Sequence, residues 1–152
     1  QVRQLALAQA GQIDAHEVLR YRRVRLSCGA HVLSVADNWY VPSRLTPDMN
    51  HQLDSTLTPF GKVIRPLMPY RQTIGVRMLW SPLRADWAQA PPRTGAVPAA
   101  QHLALPAALF EHRDIVYLPG QRPVAEVDEV YQRGLLAFAQ PRLSPSDDST
   151  AH

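Results

Sequence analysis

The chain has 152 residues, 45% hydrophobic and 19% charged, the length of one domain and too apolar for a disordered segment. Its net charge is +3 and its pI about 9.4. Beyond a concentration at Arg20, Arg22, Arg23 and Arg25 the arginines are dispersed, and no basic aromatic-interleaved face or helix-turn-helix pattern argues for nucleic-acid binding. No apolar run is long enough to span a membrane, and the single cysteine, Cys28, excludes an internal disulfide framework and a multi-cysteine zinc site.

The first residue is Gln1, so a processed or trimmed product is expected, its leader or N-terminal segment removed. Residues Val2 to Ala10 read as a short helix closed by Gly11. Leu19 to Ser27 is strand-like, with Val24 and Leu26 on one face and Tyr21, Arg23 and Arg25 on the other. A turn at Cys28-Gly29-Ala30-His31, of a type II′ kind, leads into a return strand from Val32 to Val41, stopped by Pro42. Ser43 to Asp54 reads as a helix, with Thr46 as cap, Pro47 at the first position and Met49 and Leu53 on one face. A second helix start follows at Thr58-Pro59-Phe60-Gly61 and runs to Pro66. Tyr70 to Trp80 alternates as a long strand with Ile74, Val76 and Met78 together.

The proline-rich stretch from Ser81 to Pro98 reads as a surface loop, and Leu103 to Glu111 as an apolar segment of either type. A second hairpin is expected from Arg113–Leu118, a turn at Pro119-Gly120-Gln121, and Pro123–Tyr131. The organisation is therefore a single α+β domain over residues 1–140, an antiparallel sheet with helices packed on one face. Residues 141–152 form a polar tail expected to fray.

The sequence lacks a nucleophile elbow, a phosphate-cradling glycine loop and an H-E-x-x-H motif, and no two histidines share a metal-ligand spacing. Neither metal nor cofactor is expected. Two features can carry recognition chemistry. Arg23, near the middle of its strand, can clamp a carboxylate with two parallel hydrogen bonds. Alternatively it pairs across the hairpin, where Ala36 and Asp37 lie roughly opposite. The late strand holds Glu126, Asp128 and Glu129. Period two groups Glu126 and Asp128 with Val124 and Val130, and Glu129 with Ala125, Val127 and Tyr131. A carboxyl on the Glu129 side can protonate or hydrogen-bond a substrate oxygen, or the strand is a solvated edge protected by its charges.

Three stretches, RRVRLSCGAHVLSVADNWYVP, TPFG and PVAEVDEVY, resemble the chorismate–pyruvate lyase family in their order, over roughly residues 18 to 138. In that family an arginine strand leads through a tight turn to a Val-Pro ending. A Thr-Pro-apolar-Gly helix start follows, and then a late strand of Pro, apolar residues, Glu, apolar, aromatic. The resemblance puts the carboxylate-binding arginine on Arg23 and sets Phe60 and Gly61 beside the pocket. It puts the catalytic glutamate on Glu129 with one inserted residue after Pro123, on Asp128 by an ungapped count, and leaves Glu126 open. Asp37 stands where the family has a glycine against the ligand, and most of the family's N-terminal pocket cover is missing before Arg23.

The activity so implied is cleavage of chorismate to 4-hydroxybenzoate, a ubiquinone precursor, and pyruvate. Arg23 would hold a substrate carboxylate, Glu129 would assist departure of the enolpyruvyl group, and Asp37, Phe60, Gly61, Glu126 and Asp128 would line the site. The same fold serves as the effector-binding domain of bacterial transcription regulators, so the alternative is a binding or sensing domain for a small aromatic carboxylate. A third reading is a pocket closed by an Arg23–Asp37 pair. A lyase would be cytoplasmic; a chain whose leader had been removed would be periplasmic.

Overall fold

The computed structural model describes residues 6–9, 13–14, 16–83, 86, 88–89 and 104–137. Five antiparallel strands form one sheet: β1 Arg20–Cys28, β2 His31–Tyr40, β3 Tyr70–Met78, β4 Ala108–Leu118 and β5 Arg122–Gln132, in the order β1-β2-β5-β4-β3. Among the described residues three short α-helices accompany it, α1 Ala6–Gln9, α2 Pro47–Ser55 and α3 Phe60–Ile64. The fold class is the expected one.

The β1–β2 hairpin closes through two residues, with Cys28 paired to His31. Gly29 has φ of +56°, which a glycine adopts without the Cβ clash other residues suffer. The resulting register sets Arg23 opposite Asp37. In the second hairpin the positive φ falls on Gly120 and Gln121, and β4 begins at Ala108, absorbing much of the apolar segment of undecided type. The decisive pairing is non-local: β2 joins β5 with Asp37 opposite Asp128 and Ala36 opposite Glu129. This places the acidic strand at the centre of the sheet, with Pro123 through Glu129 all buried. The reading of that strand as a solvated edge is overturned, because both its neighbours are strands.

α2 begins as the sequence indicates: Thr46 Oγ1 accepts from Met49 N at 3.2 Å and Pro47 occupies the first turn. Its buried residues, Met49 and Leu53, join Phe60, Val63 and Ile64 of α3 over Val24, Ala36, Tyr40, Val116, Ala125 and Val127 of the sheet. Each such large side chain contributes about 1.5–3 kcal/mol by leaving water. α2 and α3 thus cover one face, here the helix face. α1 sits on the opposite face, where Leu7 packs with Val41 and Ile115.

β3 differs from expectation in detail. A bulge at Ile74 breaks the alternation, so Thr73 pairs with Asp114 and Gly75 with Arg113. Ile74 therefore does not keep step with Val76 and Met78. Residues 1–5, 10–12 and 138–152 and most of the proline-rich loop lie outside the described residues, and with them the Gly11 cap and the polar tail.

Candidate functional site

Cross-strand partners in a sheet share a face, so the registers sort every side chain. One rung on the α1 face reads Arg23, Asp37, Asp128, Arg113, Gly75 from β1 to β3. On one side of it lie Tyr21, Trp39, Glu126 and Ile115; on the other Arg25, Val35, Val130, Glu111 and Arg77. On these strands the rungs bring together four arginines, Arg23, Arg25, Arg77 and Arg113, and four carboxylates, Asp37, Glu111, Glu126 and Asp128.

The local geometry ties most of these charges in pairs. Arg23 Nε lies 3.3 Å from Asp37 Oδ1, and the Tyr21 hydroxyl donates to the same oxygen at 2.7 Å. That hydrogen bond, followed by desolvation, raises the Tyr21 pKa, so the phenol stays protonated as a donor. Arg113 Nη2 donates to Glu126 Oε1 at 2.9 Å, and Arg77 pairs with Glu111. Asp128 is buried between the rung's other members and adds to the negative field around Arg77, whose pKa is raised chiefly by its hydrogen bond to Glu111. Two recesses border this face, the larger at the β1 edge of the sheet, where Val24 of the helix face and Leu57 between α2 and α3 join its lining. One, of 520 Å³, is lined by Arg23, Arg25, Val24, Val35 and Leu57; the other, of 260 Å³, by Gly75, Val76, Arg77, Glu111 and Arg113. The Tyr21 and Trp39 rings, 5.5 Å apart, form an aromatic wall beside Arg23.

The structure divides the residues singled out from sequence. Arg23, Asp37, Glu126 and Asp128 share the α1 face; Glu129, Phe60 and Gly61 belong to the helix face. Glu129 accepts from Ser34 Oγ at 2.7 Å and from Arg71 at 3.1 Å, and Arg71 also reaches Asp114. Phe60 is buried against Tyr40, ring centroids 5.4 Å apart. Gly61 borders a recess of only 70 Å³, well below the roughly 300 Å³ at which ligand pockets begin. Arg23 and Glu129 therefore cannot act on one molecule, since the sheet stands between them. The carboxylate that shares Arg23's rung is Asp128.

Sequence reasoning missed Arg113, Glu111, Arg77 and Trp39 as members of the site. The signal for the first two was present: a turn at Pro119-Gly120-Gln121 brings Arg113 opposite Asp128 and Glu111 opposite Val130. Arg77 depends on the bulge at Ile74, which no residue pattern announces. Among the described residues no group of three or more histidine, cysteine, aspartate or glutamate side chains is placed to hold a metal ion, and no helix is long and apolar enough to cross a membrane. A further recess of 470 Å³, at the sheet end near His31, Arg133 and Gly134, has no carboxylate in its lining.

No protein-family model matches the chain. It is 40% identical over 136 residues to the uncharacterized protein y4mC of Sinorhizobium fredii, covering 88% of this chain and 55% of that protein. The chain thus spans about half the length of this curated relative. Among solved structures it is similar to a chain described as the ligand-binding domain of a GntR-family transcriptional regulator from Bordetella bronchiseptica. That similarity has TM-score 0.47 and 18% identity, over 86% of this chain and 77% of the other. It is also similar to the possible transcriptional regulator YydK of Bacillus subtilis, with TM-score 0.45 and 16% identity, over 93% of this chain and 59% of that one.

Proposed function

We propose that the chain binds a small aromatic carboxylate on the α1 face of its sheet, with Arg23 as the anion-binding group and Tyr21 and Trp39 as the wall against its ring. One observation carries this reading: the rung Arg23–Asp37–Asp128–Arg113, held on rigid strands between two recesses. Arg23 engages Asp37 through Nε only loosely and its side chain is 64% exposed, so its remaining donors face solvent. The third reading, a pocket sealed by Arg23 and Asp37, is less well supported for the same reason.

Thermal unfolding with benzoate or 4-hydroxybenzoate tests it. At a hundredfold excess over Kd the bound state gains about 2.7 kcal/mol, raising Tm by about 5 °C or more. Arg23→Ala should abolish the shift. A wild-type shift that survives in Arg23→Ala would refute Arg23 as anchor, and no shift with any small carboxylate would refute the function.

A lyase reading has one specific support, that Asp128 shares a rung with Arg23 and is the residue on which the ungapped family count falls. In it a chorismate carboxylate would sit at Arg23, and Asp128, in place of Glu129, would donate a proton or hydrogen bond to the departing enolpyruvyl oxygen. Pyruvate release from chorismate that is lost in Asp128→Asn would establish it, whereas binding without pyruvate favours the non-catalytic reading.

A further inference from the structure

Glu126 is fully buried at the centre of the sheet, yet it holds two partners of different kinds. Its Oε1 accepts from Arg113 Nη2 at 2.9 Å, and its Oε2 accepts from the backbone N of Leu7 in α1 at 3.0 Å. α1 has four residues, too short to be stable alone. It is held by this hydrogen bond and by Leu7, itself fully buried among Val41 and Ile115. Arg113, by contrast, faces the 260 Å³ recess with Arg77, Glu111 and Gly75. Its Nε is buried and has no hydrogen-bond partner among the described residues, while about a third of the side chain (35%) is exposed, so the guanidinium is only partly committed to Glu126 and its exposed part can meet an anion.

We propose that Glu126 couples the ligand face to the N-terminal segment, so that an anion binding to Arg113 loosens α1. This rests on the reading of that face as a carboxylate site, and gives it a second, weaker anion position at Arg113, with two strands between it and Arg23 and filled only at saturating benzoate. The cause is electrostatic. A buried carboxylate is tolerable while an arginine neutralises it and hydrogen bonds occupy its oxygens. An anion that draws Arg113 into the recess leaves Glu126 buried without its counter-charge. Water then enters to solvate the carboxylate and competes for its oxygens, which weakens its bond to Leu7 N. By linkage, release of α1 strengthens anion binding by the same factor. A binding event is thereby converted into a movement of the chain before β1.

Amide hydrogen exchange of Leu7, measured by NMR on the whole chain, tests this in two arms. Saturating benzoate should accelerate Leu7 exchange about tenfold, the scale of losing one hydrogen bond to a charged group. Core amides such as Val127 should stay protected. Benzoate that binds and leaves Leu7 exchange unchanged overturns the proposal. The second arm needs no ligand. Arg113→Gln alters no residue of α1 but removes the charge facing Glu126, and should accelerate Leu7 exchange to a similar extent. Adding Glu126→Gln should restore protection, because a neutral amide oxygen still accepts from Leu7 N without requiring an arginine. Unchanged exchange in Arg113→Gln, or no recovery in the double variant, overturns the coupling. If benzoate fails to bind while the second arm succeeds, the ligand assignment falls and the coupling stands.

Discussion

A Cβ on Gly134 would lie 2.1 Å from the Val32 carbonyl oxygen, so the short 3-10 turn Arg133–Leu136 can close on β2 only with glycine there. The neighbouring atom is backbone within a strand and cannot step aside. Gly134→Ala should therefore cost about 3 kcal/mol through overpacking, read as a lower urea midpoint. Glu129 makes a different prediction. Glu129→Ala strands the buried Ser34 hydroxyl and one contact of Arg71 on the helix face, at about 2–3 kcal/mol. Since the sheet separates it from Arg23, benzoate affinity should not change. Arg23→Ala should show the reverse, a stability change within about 0.5 kcal/mol and lost binding. Calorimetric titration and urea unfolding on the two variants distinguish this division from a shared pocket, in which both would lose affinity.

At the scale of elements, Arg44 staples three segments. It follows β2 in the 3-10 turn Pro42–Arg44, pairs with Glu17 ahead of β1, and donates to the carbonyl of Pro123 at the start of β5. The guanidinium, hydrogen-bonded to Glu17, lowers that carboxyl's pKa from its ordinary 4.5 to about 2. A depressed carboxylate pKa stabilises the fold fully above the unfolded value and loses that contribution as pH falls through the folded one. The stability that wild type holds over Glu17→Gln should therefore be constant above about pH 5 and vanish between pH 4.5 and about 2. Chemical denaturation at stepped pH checks it; an advantage that persists at pH 2 would show that the pair is not the cause. Local elements of this kind were legible where a turn or cap dictates geometry: Gly29 fixed the first hairpin, and Thr46-Pro47 fixed α2. Arg23 opposite Asp37 followed directly. What could not be read was which residue of β5 meets β2, a pairing of strands some ninety positions apart. β5 is buried on both faces, so its hydrophobic pattern does not choose a register, and a one-residue slip exchanges Asp128 for Glu129. Sequence alone therefore left Asp128 and Glu129 as alternatives one residue of register apart, and the β2–β5 register puts Asp128, not Glu129, on the face of Arg23.

The molecule as a whole is a two-sided sheet with unequal duties. The helix face supplies the apolar burial that holds the fold, through α2 and α3 over Tyr40, Val116 and Val127. The α1 face carries the ionisable rungs and borders the recesses of 520 and 260 Å³, and among the described residues its apolar cover is Leu7 and its neighbours. Charged rungs of this density add little net stability, since desolvation offsets much of the Coulombic attraction. Their cost is met by the core behind them. Phe60 decides between this arrangement and the family-derived one, because resemblance alone would set it against the ligand. Phe60→Leu keeps an apolar side chain of smaller volume and should destabilise by about 1–1.5 kcal/mol, mostly through imperfect repacking against Tyr40. Its benzoate Kd, measured well below the unfolding transition, should equal that of wild type. An affinity loss of tenfold or more in a folded Phe60→Leu would place the ligand between sheet and helices, and would turn the arginine face into a stabilising surface alone.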